Sequence, residues 1–245
     1  QQGQPIRYLW PMRGVDQEVV GALDVQGMTL AAADLRLIQG FLRIHANFIS
    51  LMSKGERDAL TGLLNRRTFD LTLNSILARQ AEVAARERSH LKSVRKAALR
   101  ENQPWICVLD IDHFKKVNDR FGHATGDEVL LTFSQVMREM FRNNDLLFRF
   151  GGEEFVMILE PTDPDGALEV LERLRQRLAA HKFERVGHVT VSIGFSILKS
   201  ENTPVENVDR ADQALYFAKR GGRNRVEQYE NLLAHGLISL PAREE

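Results

Sequence analysis

Four carboxylates stand where acidic side chains are unusual. Asp110 and Asp112 close an apolar run, Trp105-Ile106-Cys107-Val108-Leu109-Asp110-Ile111-Asp112. Such a run reads as a central strand buried on both faces, and a carboxylate at its end is costly unless something compensates it. The two aspartates alternate onto one face, with the Ile111 carbonyl between them. Oxygen donors of this kind suit Mg²⁺ with a bound nucleotide. A plainer reading, strand-end and cap residues, stays open on these residues alone. Glu153 and Glu154 follow Gly151-Gly152, between the apolar runs Phe148-Arg149-Phe150 and Phe155 to Leu159. Gly-Gly predicts a two-residue hairpin with φ > 0 at both turn residues. Neighbouring strand residues point to opposite faces, so the two glutamates are expected to do different jobs.

Lys219-Arg220-Gly221-Gly222-Arg223-Asn224-Arg225 is a basic, glycine-bearing turn. Cationic groups neutralise phosphate, and bare backbone lets it approach closely. Alone this is a weak signal.

Composition narrows the classes. The 245 residues carry 33 Lys+Arg and 33 Asp+Glu, which gives no support to a broad nucleic-acid or membrane surface. Cys107 is the only cysteine, so no internal disulfide can form. Its apolar surroundings predict a buried, inert thiol, and a reducing, cytoplasmic compartment fits. No apolar run approaches the roughly 20 residues that span a bilayer. The chain starts at Gln1 rather than Met, so upstream domains of a longer protein are expected.

The elements that must position these groups fall into four segments. Residues 1–29 read as fragmentary β structure, with Ile6 to Trp10 and Glu18 to Val25 as strands. Such a hairpin is marginal alone, so it is expected to belong to a larger sheet. Residues 30–57 read as a long helix. Leu35, Ile38, Leu42, His45, Ile49 and Met52 form one apolar stripe, and Leu37, Phe41, Ile44, Phe48 and Leu51 a second beside it. Two stripes make a face too wide for water. One is expected to bury on the preceding hairpin, the other on a second copy of the chain; an ordinary helix packed on its own domain is the alternative. His45 is expected to pack in the seam. Residues 58–230 alternate helix and strand in a βααββαβ order. This predicts an α+β, palm-like domain with a mostly antiparallel sheet covered by helices. In it, Asp58 or Thr61 is the expected cap of the helix from Thr68, the charged segment 79–102 reads as a solvated helical extension, and Pro104 ends it. Residues 231–245 read as a tail.

With these residues in place, the chain resembles the GGDEF-domain diguanylate cyclases. The likeness spans Asp58 to Tyr229 and rests on five motifs in order: Asp58-Ala-Leu-Thr-Gly-Leu-Leu-Asn-Arg-Arg67, Asp110-Ile-Asp-His-Phe-Lys-Lys-Val-Asn-Asp119, Phe121-Gly-His-Ala-Thr-Gly-Asp127, Gly151-Gly-Glu-Glu-Phe155 in the GGEEF form, and Ala214-Leu-Tyr-Phe-Ala-Lys-Arg-Gly-Gly-Arg-Asn-Arg225. The segment 79–102 is longer than that family's usual connection. Residues 1–29 resemble the last hairpin of a GAF-type sensor domain.

The resemblance implies that two GTP are joined into cyclic di-GMP with release of two pyrophosphates. It implies that Asp110, the Ile111 carbonyl and Glu153 hold Mg²⁺ (or Mn²⁺), with Asp112 as a supporting carboxylate. Glu154 would activate the ribose 3′-hydroxyl or place a metal that does so. Asn118 and Asp127 would read guanine; Phe114, Lys115, Lys219 and Arg223 would line the phosphates. Each copy holds one GTP, so a homodimer through helix 30–57 is expected. Arg142-x-x-Asp145, with Arg149 beside it, matches the family's inhibitory product site. The alternative is a silent module that binds GTP or cyclic di-GMP as a receptor. No nucleic acid or membrane partner is implied.

Overall fold

A computed structural model describes residues 7–13, 19–26, 31–90 and 103–239, in two compact units that divide between Arg57 and Asp58. The expectations for Ile6, for the turn after Arg13, for segment 91–102 and for the end of the tail lie outside the described residues.

The first unit holds β1 (Arg7–Arg13), β2 (Val19–Gln26) and α1 (Ala32–Glu56). The two strands pair antiparallel, and α1 packs on both. Along α1, Leu42 and Ala46 are buried and Leu35 and Ile38 half-buried, while Leu37, Phe41 and Ile44 are 78%, 67% and 72% exposed. His45 is on the exposed side, stacked on Phe41 at 5.9 Å, and does not pack with the stripe assigned to it.

The second unit runs β3 (Leu64–Asn65), α2 (Arg66–His90), β4 (Gln103–Ile111), α3 (Phe114–Phe121), α4 (His123–Met140), β5 (Leu146–Arg149), β6 (Glu154–Thr162), α5 (Pro164–Ala180), β7 (Lys182–Phe183), β8 (Gly187–His188), β9 (Val191–Ile197), α6 (Pro204–Arg220), β10 (Val226–Gln228) and α7 (Tyr229–Ala234). The six-stranded sheet has the order β10-β9-β4-β6-β5-β3, antiparallel at its four central strands and parallel at both edges.

Strand periodicity sorts the core into two layers. Trp105, Cys107, Leu109 and Ile111 of β4 join Phe155, Met157 and Leu159 of β6 under α3, α4 and α5. Ile106, Val108, Val156 and Ile158 pack on the other face with Phe69, Leu73 and Leu77 of α2 and Leu215 of α6. Both faces are covered, which is why β4 reads as an unbroken apolar run. Cys107 is fully buried, and burial pushes its thiol pKa well up, followed by the charge of Asp145.

Several local expectations change. Asn65, not Asp58 or Thr61, caps α2: its side-chain oxygen accepts from Thr68 N–H at 3.0 Å. Pro104 lies within the start of β4, at an irregularity of the ladder, and the helix expected to end before it falls outside the described residues. Helix α6 starts at Pro204 behind a Thr203–Glu206 capping box.

Candidate active site at the acidic strand end and hairpin

Sheet register brings the two acidic pairs together. Asp110 sits opposite Glu154 across β4 and β6, and the Ile111 N–H donates to the Glu153 carbonyl at 3.4 Å. Asp110 is 6% exposed; Glu153 is half-buried and Glu154 exposed. Lys219, near the end of α6, reaches Asp110 Oδ2 at 2.8 Å.

Burial pushes the Asp110 carboxyl up, against the hydrogen bond and charge of Lys219; Asp112 adds to the rise and Arg223 opposes it. Burial also raises Glu153, with Asp110 adding, Lys219 opposing and Glu154 adding. Two crowded carboxylates facing one ammonium form a setting that a divalent cation relieves. Among the described residues no three His, Cys, Asp or Glu side chains converge as a metal site. An ion here would complete its shell with a backbone carbonyl, water or phosphate, as Mg²⁺ readily does. The donor set therefore fits Mg²⁺.

The hairpin differs from the two-residue turn expected. Gly151 and Gly152 are not among the glycines at positive φ. The ladder closes at Arg149–Phe155, and Phe150 and Gly151 N–H both donate to the Glu154 carbonyl, at 2.9 and 3.2 Å. The loop is longer, so left-handed residues are not needed. A Cβ at Gly151 would lie 2.7 Å from Glu154 Oε2, so this glycine leaves room for the glutamate. Phe69 meets Phe148 and Phe150 edge-on at 5.2 and 5.3 Å, and the Arg66 guanidinium covers Phe150 at 4.5 Å. Arg149 ties down the tip: it donates to Asp58 at 3.0 Å and to the Gly152 carbonyl at 2.9 Å.

Asn118 lies near the end of α3 and Asp127 near the start of α4, on either side of the junction between them. A Cβ on Gly126 would overlap the Asn118 side-chain oxygen at 1.9 Å, so Gly126 lets that amide lie on the start of α4. Asp127 and Lys115 are exposed. Phe114 is 4% exposed and belongs to the core, so only its backbone is available to a phosphate. The first N–H groups of a helix have no intrahelical partner, which suits an anion at the start of α3. Arg223 stands at φ 64 in the basic turn and acts electrostatically on Asp110.

Arg142 and Asp145 lie elsewhere, in a cleft of about 300 Å³ shared with Glu160, Glu169 and Arg173. Asp145 accepts from the N–H groups of Arg142 and Glu160, both at 3.0 Å. Arg149, assigned to this site from sequence, does not line it; its guanidinium is bound to Asp58 and the hairpin. Arg173, from α5, lines the same cleft, and an arginine on a leucine-striped helix carries no local signal of that in the sequence. Asp58 was read only as a cap. It accepts from Thr61 N–H and hydroxyl at 2.8 and 2.6 Å as well as from Arg149.

Residues 56–225 match the model of the diguanylate cyclase GGDEF domain. The chain belongs to the GGDEF family. It is 38% identical over 186 residues to the diguanylate cyclase DgcP of Pseudomonas aeruginosa, covering 75% of this chain and 25% of the relative. It is 37% identical over 171 residues to a diguanylate cyclase of Vibrio cholerae, covering 69% and 48%. Among solved structures, the coiled coil and GGDEF domain of DgcB from Caulobacter crescentus in complex with c-di-GMP matches at TM-score 0.67 and 30% identity, covering 81% of this chain and all of that one. The chain thus spans a quarter to about half the length of these curated relatives. No helix among the described residues is long and apolar enough to cross a membrane.

Proposed function

We propose that this GGDEF domain condenses two GTP molecules into cyclic di-GMP and two pyrophosphates. The observation that carries the reading is the register pair of Asp110 and Glu154, with Glu153 beside it and Lys219 on Asp110. In each half-reaction the ribose 3′-oxygen of one GTP bonds to the α-phosphorus of the other. The α–β phosphoanhydride breaks, and pyrophosphate carries away the electron pair. Glu154, the exposed member, takes up the hydroxyl proton. A carboxylate is a weak base for a hydroxyl, so alignment by the site matters as much as proton removal. Asp110, Glu153 and the Ile111 carbonyl would hold Mg²⁺ (or Mn²⁺), which when bound neutralises charge on the triphosphate and the leaving group. Lys219, Arg223 and the start of α3 grip the phosphates.

Asn118 and Asp127 select guanine. A carboxylate accepts from N1–H and the 2-amino group, neither of which adenine offers, so adenine leaves a charged acceptor unpaired. Nucleotide selectivity tests the reading: GTP binds at least about tenfold more tightly than ATP, and Asp127→Ala removes most of that preference. Equal affinity for ATP and GTP in the wild-type protein would overturn it.

One site binds one GTP, so two copies face each other. The exposed Leu37-Phe41-Ile44 stripe of α1 is the surface for that pairing. The β1–β2 hairpin reads as the end of a GAF-like sensor domain, which would signal through α1. GTP as substrate places the reaction in the cytoplasm. Product returns to the Arg142–Asp145 cleft, with Arg173 beside it, and inhibits. Arg142→Ala is therefore expected to raise the cyclic di-GMP concentration for half-inhibition by about tenfold or more, an arginine–phosphate contact being worth that much. Unchanged inhibition would remove this site from the account.

A further inference from the structure

Asp112 is 5% exposed, and its two oxygens are already taken. Thr190 Oγ1 donates to Oδ2 at 2.6 Å, Ser192 Oγ to Oδ1 at 2.7 Å, and the Asn224 backbone N–H to Oδ2 at 3.0 Å. The third bond crosses from the end of β4 to the basic turn, 112 residues along the chain. There Arg223 and Asn224 stand at φ 64 and 47, in a left-handed conformation that non-glycine residues rarely adopt. Such a conformation persists only where its surroundings hold it. The other ties on the turn are Arg223 N–H to the Ala218 carbonyl at 3.0 Å, the Arg225 carbonyl accepting from Ile193 at 3.0 Å, and Arg175 on the Asn224 side chain at 2.8 Å. Asp112, just past the end of β4, is the tie that holds the Asn224 backbone itself, while Asp110 within that strand holds the turn's first residue, Lys219, through its side chain.

We propose that Asp112 is a positioning residue that locks the Asn224 N–H to the end of β4 and so aims Arg223 at the triphosphate, without ligating the metal. This rests on the proposed function, since it takes the Arg223 ligand to be phosphate. Both of its oxygens are engaged, by three donors of the protein itself. The carboxylate's geometry matters and its charge does not. Asparagine reproduces that geometry: its oxygen in the Oδ2 position accepts from Asn224 and Thr190, and its amide donates to the Ser192 hydroxyl.

Binding of GTP carrying a methylene in place of the α–β bridging oxygen, measured calorimetrically across a Mg²⁺ series, separates the roles, because turnover is not needed. Asp112→Ala and Arg223→Ala each weaken binding about tenfold, and the double variant is no weaker than the poorer single one, as expected for two residues acting as a unit. Asp112→Asn stays within about threefold of wild type at every Mg²⁺ concentration. Additive losses for Asp112→Ala and Arg223→Ala overturn the proposal. So does an Asp112→Asn variant that melts like wild type yet loses affinity more than about tenfold or shifts its Mg²⁺ midpoint, since that marks a charge or metal role. If Asp112→Ala fails to fold, the asparagine variant decides alone. A wild-type protein that does not bind the analogue overturns the functional reading and this proposal together; one that binds it with Asp112→Ala unchanged overturns only this proposal.

Discussion

Asp110 and Glu153 are held above the ordinary carboxylate range chiefly by burial. A raised folded-state pKa means that the charged carboxylate costs stability above that pKa and that the cost disappears as the group protonates. Asp110→Asn is therefore expected to raise Tm at pH 7 while abolishing turnover, with the gain shrinking as pH falls through the carboxylate range. Melting curves of both proteins between pH 4 and 8 check this; a lower Tm for the variant at pH 7 would show that the Lys219 ion pair outweighs desolvation. Asp58 runs the other way. Burial pushes it up, but the Thr61 hydroxyl and N–H and Arg149 outweigh that and hold it below the ordinary range. Its contribution is present above the unfolded value of about 3.9 and is lost as pH falls through the lower folded one. Asp58→Asn should cost roughly 1 kcal/mol at pH 7, the upper end for a partly exposed pair, and nothing near pH 2. A constant difference across that range would assign the loss to shape rather than charge.

At the scale of elements, helix α6 lies directly on β9. A Cβ on Gly194 would fall 2.1 Å from the Leu215 backbone nitrogen and 2.2 Å from the Ala211 carbonyl oxygen. Backbone cannot yield as a side-chain tip can, so Gly194→Ala is expected to cost about 3 kcal/mol, at the high end for overpacking, measured by denaturant unfolding. A loss below about 1 kcal/mol would mean that the helix shifts freely on the sheet. This contact also fixes where Lys219 meets Asp110, yet nothing around Gly194 in the sequence announces it. The strands and the acidic positions were legible because period-two burial and a carboxylate at a strand end are local signals. The turn at Gly151-Gly152 was misjudged because its type depends on where the ladder closes. The Arg149 contact was illegible for a related reason: its partner Asp58 is 91 residues away. The Asp112 contacts to Thr190, Ser192 and Asn224 have no local signature at all.

For the whole molecule, the two units divide the labour proposed here. The α1 unit leaves Leu37, Phe41 and Ile44 exposed in a row, a costly face for a protein that stays alone. Replacing Phe41 and Ile44 together by Asp should shift the protein toward monomer in analytical ultracentrifugation and lower activity per chain at micromolar concentration. A double variant that keeps both wild-type mass and wild-type activity would place the pairing surface elsewhere. In the proposed function the GGDEF unit supplies one copy of each group needed for half of a symmetric reaction, so association and chemistry would be linked. The most direct measurement is product identification by chromatography and mass after incubating nucleotide-stripped protein with GTP and Mg²⁺. Cyclic di-GMP and pyrophosphate in a 1:2 ratio, both absent with Glu154→Gln, are predicted. Tight GTP binding with no cyclic dinucleotide at any protein concentration would contradict the cyclase and leave a nucleotide receptor.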